Sequence, residues 1–207
     1  MIGMDFFKIV APVYDTAMKI TGHNKTLAEL VEHMDLQVGE KLLDIGGGTG
    51  QILEELPRDI GLEVIIADPS EAMLSKASQR VADLETGDGD GRELELQAYL
   101  VEATGDALPL DDNSFDHVTI ADALHHFNDI ESTFVEIRRV LKPRGRLHIM
   151  EFDPETFFTK FIAAAEGLAG EPANFYKPEV LGKMLEDAGF SFSYKYITGS
   201  IYILTAE

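Results

Sequence analysis

Apolar positions recur with two different periods along this chain, and the switches between them mark alternating helices and strands. Residues 1–40 carry helical spacing, with Leu27, Leu30, Val31 and Met34 on one stripe and Gly39 closing the segment. One or two helices are predicted there. Lys41–Ile45 is a short apolar run that ends in a loop of mostly glycine, and a helical pattern through Ile52, Leu53 and Leu56 stops at Pro57. A second strand, Leu62–Ala67, leads into Asp68-Pro69-Ser70-Glu71, which opens a helix with Pro at its first position and Glu71 completing a capping box. Leu94–Val101 alternates as a third strand and His117–Ala121 reads as a fourth. Asn128 and Glu131 then cap a helix that runs to Leu141.

Lys142-Pro143-Arg144-Gly145 turns the chain into a fifth strand, Leu147–Phe152. Residues 153–176 are less regular and rich in aromatics. Pro178–Ala188 reads as a helix ended by Gly189, and Phe190–Ile197 and Ile201–Thr205 flank Thr198-Gly199-Ser200 as an antiparallel hairpin. Strands alternating with helices imply a parallel sheet covered on both faces. A chain of 207 residues fits one domain, since folding at that length buries roughly 70% of the surface that the unfolded chain exposes.

Composition narrows the chemistry. With no cysteine there is no disulfide, thiolate metal site or cysteine nucleophile. Acidic residues number 37 against 17 basic ones, and a net charge of -20 repels phosphate backbones and anionic lipid, so nucleic acid is not expected as a substrate. No apolar run approaches the roughly 20 residues that span a bilayer. Asp5 and Lys8 break up the start of the chain, which therefore does not read as a secretory signal, and a cytoplasmic location without membrane insertion is expected. The Gly- and Asp-rich stretch at 86–93 reads as a flexible connection, because Gly91 and the missing terminal Glu do not fit a calcium loop.

Two motifs point to a nucleoside. Asp44-Ile45-Gly46-Gly47-Gly48-Thr49-Gly50 lies where a strand feeds a helix, and its glycines let the backbone bend sharply and approach a ligand. Gln51 occupies the last position of the G-x-G-x-x-G dinucleotide pattern, which disfavours a nicotinamide dehydrogenase, and no Gly-Lys-Ser/Thr follows for a P-loop. Asp68, at the end of the second strand, could accept two hydrogen bonds from a ribose diol, or serve only as a helix cap.

A third stretch, Gly105-Asp106-Ala107 through Leu108-Pro109 to Asp112-Asn113-Ser114-Phe115-Asp116, completes the set, with Ala121-Asp122-Ala123-Leu124-His125-His126-Phe127 after it. Together with 41–50 and 62–73 it resembles the class I S-adenosylmethionine-dependent methyltransferases, in particular their small-molecule group. The resemblance implies a Rossmann-like three-layer α/β sandwich with a seven-stranded, mostly parallel sheet, a C-terminal antiparallel hairpin and an N-terminal helical cap. It divides the chain into that cap (1–40), a cofactor-binding core (41–152), a substrate lid (153–176) and a closing helix and hairpin (177–207). It further implies that Asp44, Gly46, Gly47, Gly48 and Gly50 hold the methionine end of S-adenosylmethionine and that Asp68 holds the ribose. Pro69 and Met73 would pack on the adenine, Asp106 would take its amino group with Ala107 alongside, and the backbone near Ala121 would line the sulfonium. Ala11-Pro12-Val13-Tyr14-Asp15 is similar to the start of the ubiquinone and menaquinone C-methyltransferases, although the Asn and Trp with which those continue are missing here.

Methyl transfer from a sulfonium is an in-line displacement that needs position more than side-chain chemistry. A neutral imidazole could still deprotonate the acceptor, and His125 and His126 follow the fourth strand. His126 is preferred, with Tyr14 or Asp15 as partners, and pocket lining is the competing role for both histidines. Phe157, Phe158, Phe161, Phe175 and Tyr176 form either an apolar lid or that segment's own small core. No histidine pair has ligand spacing, so no metal site is expected. The absence of an Asn/Asp-Pro-Pro-aromatic motif at Asp122 disfavours amino-methylation of bases or glutamine. The expected reaction is methylation of a small apolar or aromatic acceptor. The alternative is a non-catalytic module that senses the cofactor or supports a catalytic partner; a homodimer is compatible with either.

Overall fold

The computed structural model describes residues 23–86, 96–169 and 172–207. Seven strands form one sheet in the order β3-β2-β1-β4-β5-β7-β6. They are β1 (Lys41–Ile45), β2 (Glu63–Asp68), β3 (Gln97–Glu102), β4 (Phe115–Ala121), β5 (Leu141–Phe152), β6 (Phe192–Tyr196) and β7 (Ile201–Ala206). Strands β1 to β5 are mutually parallel, while β7 runs antiparallel between β5 and β6. Helices α1 (His23–Met34), α2 (Glu71–Thr86), α3 (Ile130–Val140), α4 (Phe157–Ala169) and α5 (Pro178–Asp187) complete the fold. The sheet and the hairpin match the sequence expectation.

Period-two alternation divides the strands between two cores. Leu43, Ile45, Ile149, Tyr202 and Leu204 join Phe134, Ile137 and Val140 of α3 in the larger cluster. Leu42, Val64 and Ile66 face the opposite way with Met34, and Met150 and Ile203 pack there against Leu27 and Leu30 of α1. Each fully buried Leu, Ile or Phe contributes about 1.5–3 kcal/mol. Strand order reverses between β1 and β4, and in open α/β sheets that reversal is where loops leaving the carboxyl ends of the strands diverge and leave room for a ligand.

Several local expectations are corrected. Past the glycine loop only a single 3-10 turn forms, Gln51–Glu54, because Gly50 is left-handed, no side chain caps the start and Pro57 follows closely. Asp129, rather than Asn128, caps α3, accepting the Ser132 amide at 2.9 Å. Ser70 occupies the cap position of α2, so Pro69 precedes the helix, and Ser70 Oγ accepts the Met73 amide at 3.4 Å. Strand β5 already pairs at Leu141, opposite Phe115, and Lys142–Gly145 bulges out before Arg146 meets His117; Arg144 takes φ 77 to make the bend. The aromatic segment after β5 is helical over α4 rather than irregular. Residues 1–22 and 87–95 lie outside the described residues, and with them Tyr14, Asp15 and most of the 86–93 connection.

Candidate active site

The glycine loop begins where β1 ends. Gly46, Gly48 and Gly50 take φ of 70, 55 and 73, a left-handed conformation that costs an L side chain roughly 1–2 kcal/mol each. Gly47 is needed for a different reason: a Cβ there would stand 2.4 Å from Asp44 Oδ2. The loop is tied to the next strand. Gly46 N–H donates to Ala67 O at 2.7 Å, and Gly48 N–H donates to Asp68 Oδ2 at 2.9 Å. Asp68 Oδ1 accepts the Ser70 amide at 2.8 Å, so each of its oxygens holds one backbone donor and keeps capacity for a second.

Asp44 sits beneath this loop, 2% exposed, and its Oδ1 has no hydrogen-bond partner among the described residues. Burial, reinforced by the nearby Asp68 charge, pushes its carboxyl up to about 7. Burial also raises Asp68, against the pull of the Ser70 and Gly48 amides. A cation seated over the loop would satisfy the orphaned oxygen and relieve the repulsion between the two carboxylates. A Cβ built on Gly48 meets nothing within 4 Å, so that side of the loop is open. The residues therefore fit the ammonium and ribose of S-adenosylmethionine. Asp106 and Ala107 lie exposed on the turn after β3. Their neighbour Gly105 packs on Ile45 and Phe127, and Phe127 also packs on Gly46, which brings the three loops to one edge of the sheet. Pro69 is exposed beside Asp68, Met73 is buried at 2%, and Ala121 ends β4 half-buried.

The last turn of that edge is Leu124–His126, a 3-10 turn in which two adjacent histidines adopt opposite states. His125 Nδ1 donates to Glu151 Oε2 at 2.8 Å, with both side chains almost fully buried. Burial alone would lower His125; the charge and hydrogen bond of Glu151, with Glu166 and Asp122 behind it, raise it to about 10. Near neutral pH it therefore keeps its proton. His126 is lowered to about 4 by burial and by the His125 charge, so it is neutral, and its Nδ1 donates to Pro172 O at 2.9 Å. The His125 ring stacks on Phe175 with centroids 4.2 Å apart, and Phe152 lies against both Phe158 and Phe175. Phe157 and Phe161, by contrast, are exposed on α4.

Four polar side chains at this edge escape a reading of the sequence: His23, Asp122, Glu151 and Glu166. Asp122 holds φ 52 just past β4, and burial above all lifts its carboxyl to about 8. His23, at the start of α1, comes within 3.9 Å of it. Glu166 Oε1 lies 3.7 Å from His125 Nε2. The parallel register held one usable signal, since Met150 pairs with Ala121 and so sets Glu151 beside Asp122.

Known proteins bear on this geometry. A methyltransferase domain family matches residues 43–149. The chain is 32% identical over 203 residues to the ubiquinone/menaquinone biosynthesis C-methyltransferase UbiE of Idiomarina loihiensis, covering 95% of this chain and 74% of that protein. It is 30% identical over 217 residues to the demethylmenaquinone methyltransferase of Thermus thermophilus, covering 93% and 94%. In fold it is similar to a SAM-dependent methyltransferase from Aquifex aeolicus, with TM-score 0.70 and 23% identity over 87% of this chain and 88% of the other. A possible histamine N-methyltransferase from Thermotoga maritima superposes at TM-score 0.74 with 20% identity, over 97% and 96%. With the loop, the strand order and these likenesses together, the chain belongs to the S-adenosylmethionine-dependent methyltransferase family.

Proposed function

We propose that this enzyme methylates a small hydroxylated aromatic acceptor of quinol type, at the edge formed by the His125–His126 turn. The supporting observation is the stack of His125 on Phe175, flanked by Phe152 and Phe158, beside an imidazole held neutral. An aromatic ring gains most from such a wall, and a hydroxyl on it would find His126 as a hydrogen-bond acceptor. The relatives named for ubiquinone, menaquinone and demethylmenaquinone point to the same acceptor class.

The cofactor supplies an electrophilic methyl on a sulfonium, leaving the chain to bind, orient and exclude water. Asp44 and the Gly46–Gly50 loop would hold its amino acid end, Asp68 its ribose, Pro69 and Met73 its adenine face, and Asp106 with Ala107 the amino edge. The backbone near Ala121 would line the sulfonium. Positioning of this kind can account for about 7–11 kcal/mol of a barrier, so His126 need only orient the acceptor hydroxyl. Tyr14 or Asp15 would act as the partner of His126, and α4 would form the lid.

Incubating the protein with methyl-labelled cofactor and a panel of short-chain quinols, phenols, amines and thiols tests this reading. Label in quinols or phenols is expected, with loss of at least tenfold in His126→Ala. Label confined to amines or thiols would overturn it.

A further inference from the structure

His125, His126 and Glu166 each present one ligand-capable atom, and these atoms lie within 4.8 Å of one another. The separation of His125 Nε2 from Glu166 Oε1 is 3.7 Å. Bonds of about 2.1 Å meeting at a tetrahedral angle place neighbouring ligand atoms roughly 3.4 Å apart, so small side-chain shifts would close the set around an ion.

Both imidazoles are fixed from behind through Nδ1, His125 by the Glu151 carboxylate at 2.8 Å and His126 by the Pro172 carbonyl at 2.9 Å. Outer acceptors of these two kinds orient metal-ligating histidines and set their tautomers, and His125 would release its Nε2 proton to solvent as the ion binds. Glu166 Oε2 is buried and has no hydrogen-bond partner among the described residues, which is costly unless something else meets it. A second cluster, Asp122, His125 and Glu151, lies equally close together. There, however, Glu151 is already engaged: Oε2 accepts from the His125 ring and amide, and Oε1 accepts the Phe152 amide at 2.8 Å. Glu151 is therefore the outer partner and Glu166 the ligand.

We propose that His125, His126 and Glu166 form a binding site for one divalent first-row transition ion. Two imidazoles and one carboxylate favour an ion such as Zn(II), Co(II) or Fe(II) over Mg(II) or Ca(II). Three protein ligands leave a position open for a water or an acceptor oxygen. That the ion would lie beside the acceptor rests on the function proposed above; the ligand set does not, and with an ion on His126 the open coordination position takes the acceptor hydroxyl that the free imidazole would otherwise bind.

The full chain, stripped with a chelator and dialysed against Co(II) chloride, tests the site through bound metal per chain and ligand-field absorption in the visible. One equivalent is expected, with affinity reduced at least tenfold in Glu166→Gln and in His126→Ala. Calorimetric binding of S-adenosylhomocysteine by the same samples reports that each variant is folded. A folded wild type that takes up no stoichiometric Co(II), or variants that bind it as the wild type does, would overturn the proposal. Uptake is read without turnover, so failure of the acceptor panel and failure of the metal site are separate results.

Discussion

Replacing Glu151 by Gln keeps the side chain's shape and an acceptor oxygen while removing the charge that holds His125 as an imidazolium. His125 Nδ1 and Glu151 Oε2 are 2.8 Å apart, and the side chains are 3% and 1% exposed, so solvent screens the pair little. A histidine moved from 6.5 to about 10 in the folded state stores on the order of 5 kcal/mol at 1.36 kcal/mol per pH unit. Because the folded value is the higher one, this stability is complete below about pH 6.5 and drains away as pH rises towards 10. Breaking a buried pair costs about 3–5 kcal/mol. Urea unfolding of the chelator-treated protein at pH 6 should therefore show Glu151→Gln destabilised by about that amount, with Tm lower by about 10 °C. Between pH 6 and pH 9 the gap from wild type should narrow by about 3 kcal/mol as the wild type loses its proton-linked share. A loss below about 1 kcal/mol at pH 6, or a gap that ignores pH, would mean that Glu151 does not hold a proton on His125.

Two further outcomes concern the cofactor loop. Since Asp44 ionises near 7 and only the carboxylate attracts an ammonium, lowering pH from 8 to 6 should weaken S-adenosylhomocysteine binding about tenfold. Titration calorimetry across that range, with Asp44→Asn as the flat control, measures the slope. Gly47→Ala places a Cβ 2.4 Å from Asp44 Oδ2 and 2.8 Å from Ile66 Cγ2, so it should destabilise the fold by about 1–3 kcal/mol and weaken cofactor binding more than tenfold. Affinity within twofold of wild type would mean that the loop relaxes freely.

The strands are readable in the sequence because parallel strands buried on both faces are near-continuous apolar runs, as at Leu42–Ile45 and Val64–Ala67. The glycine loop is readable for a different reason: three left-handed positions and one close contact leave no other residue type comfortable. Helix starts are less so. Asn128 and Asp129 are both good caps, and only the backbone bend decides which one reaches Ser132. Helix α4 has Phe157, Phe161 and Leu168 exposed, so its apolar pattern does not follow burial, and periodicity is a poor guide to it. The charged cluster is hardest to foresee. His125, Glu151 and Glu166 come from a turn, a strand end and a helix, and only tertiary packing sets one imidazole near 10 and its neighbour near 4.

Asp68 is the residue on which the cofactor assignment turns most directly, because its two oxygens anchor the Gly48 and Ser70 amides at the end of β2. Calorimetric titration of the wild type and Asp68→Ala with S-adenosylhomocysteine measures its share. Ribose binding by Asp68 implies one site per chain in the wild type and a loss of at least a hundredfold in the variant, about 3 kcal/mol for two charge-assisted hydrogen bonds. Equal affinity in a folded variant would contradict it.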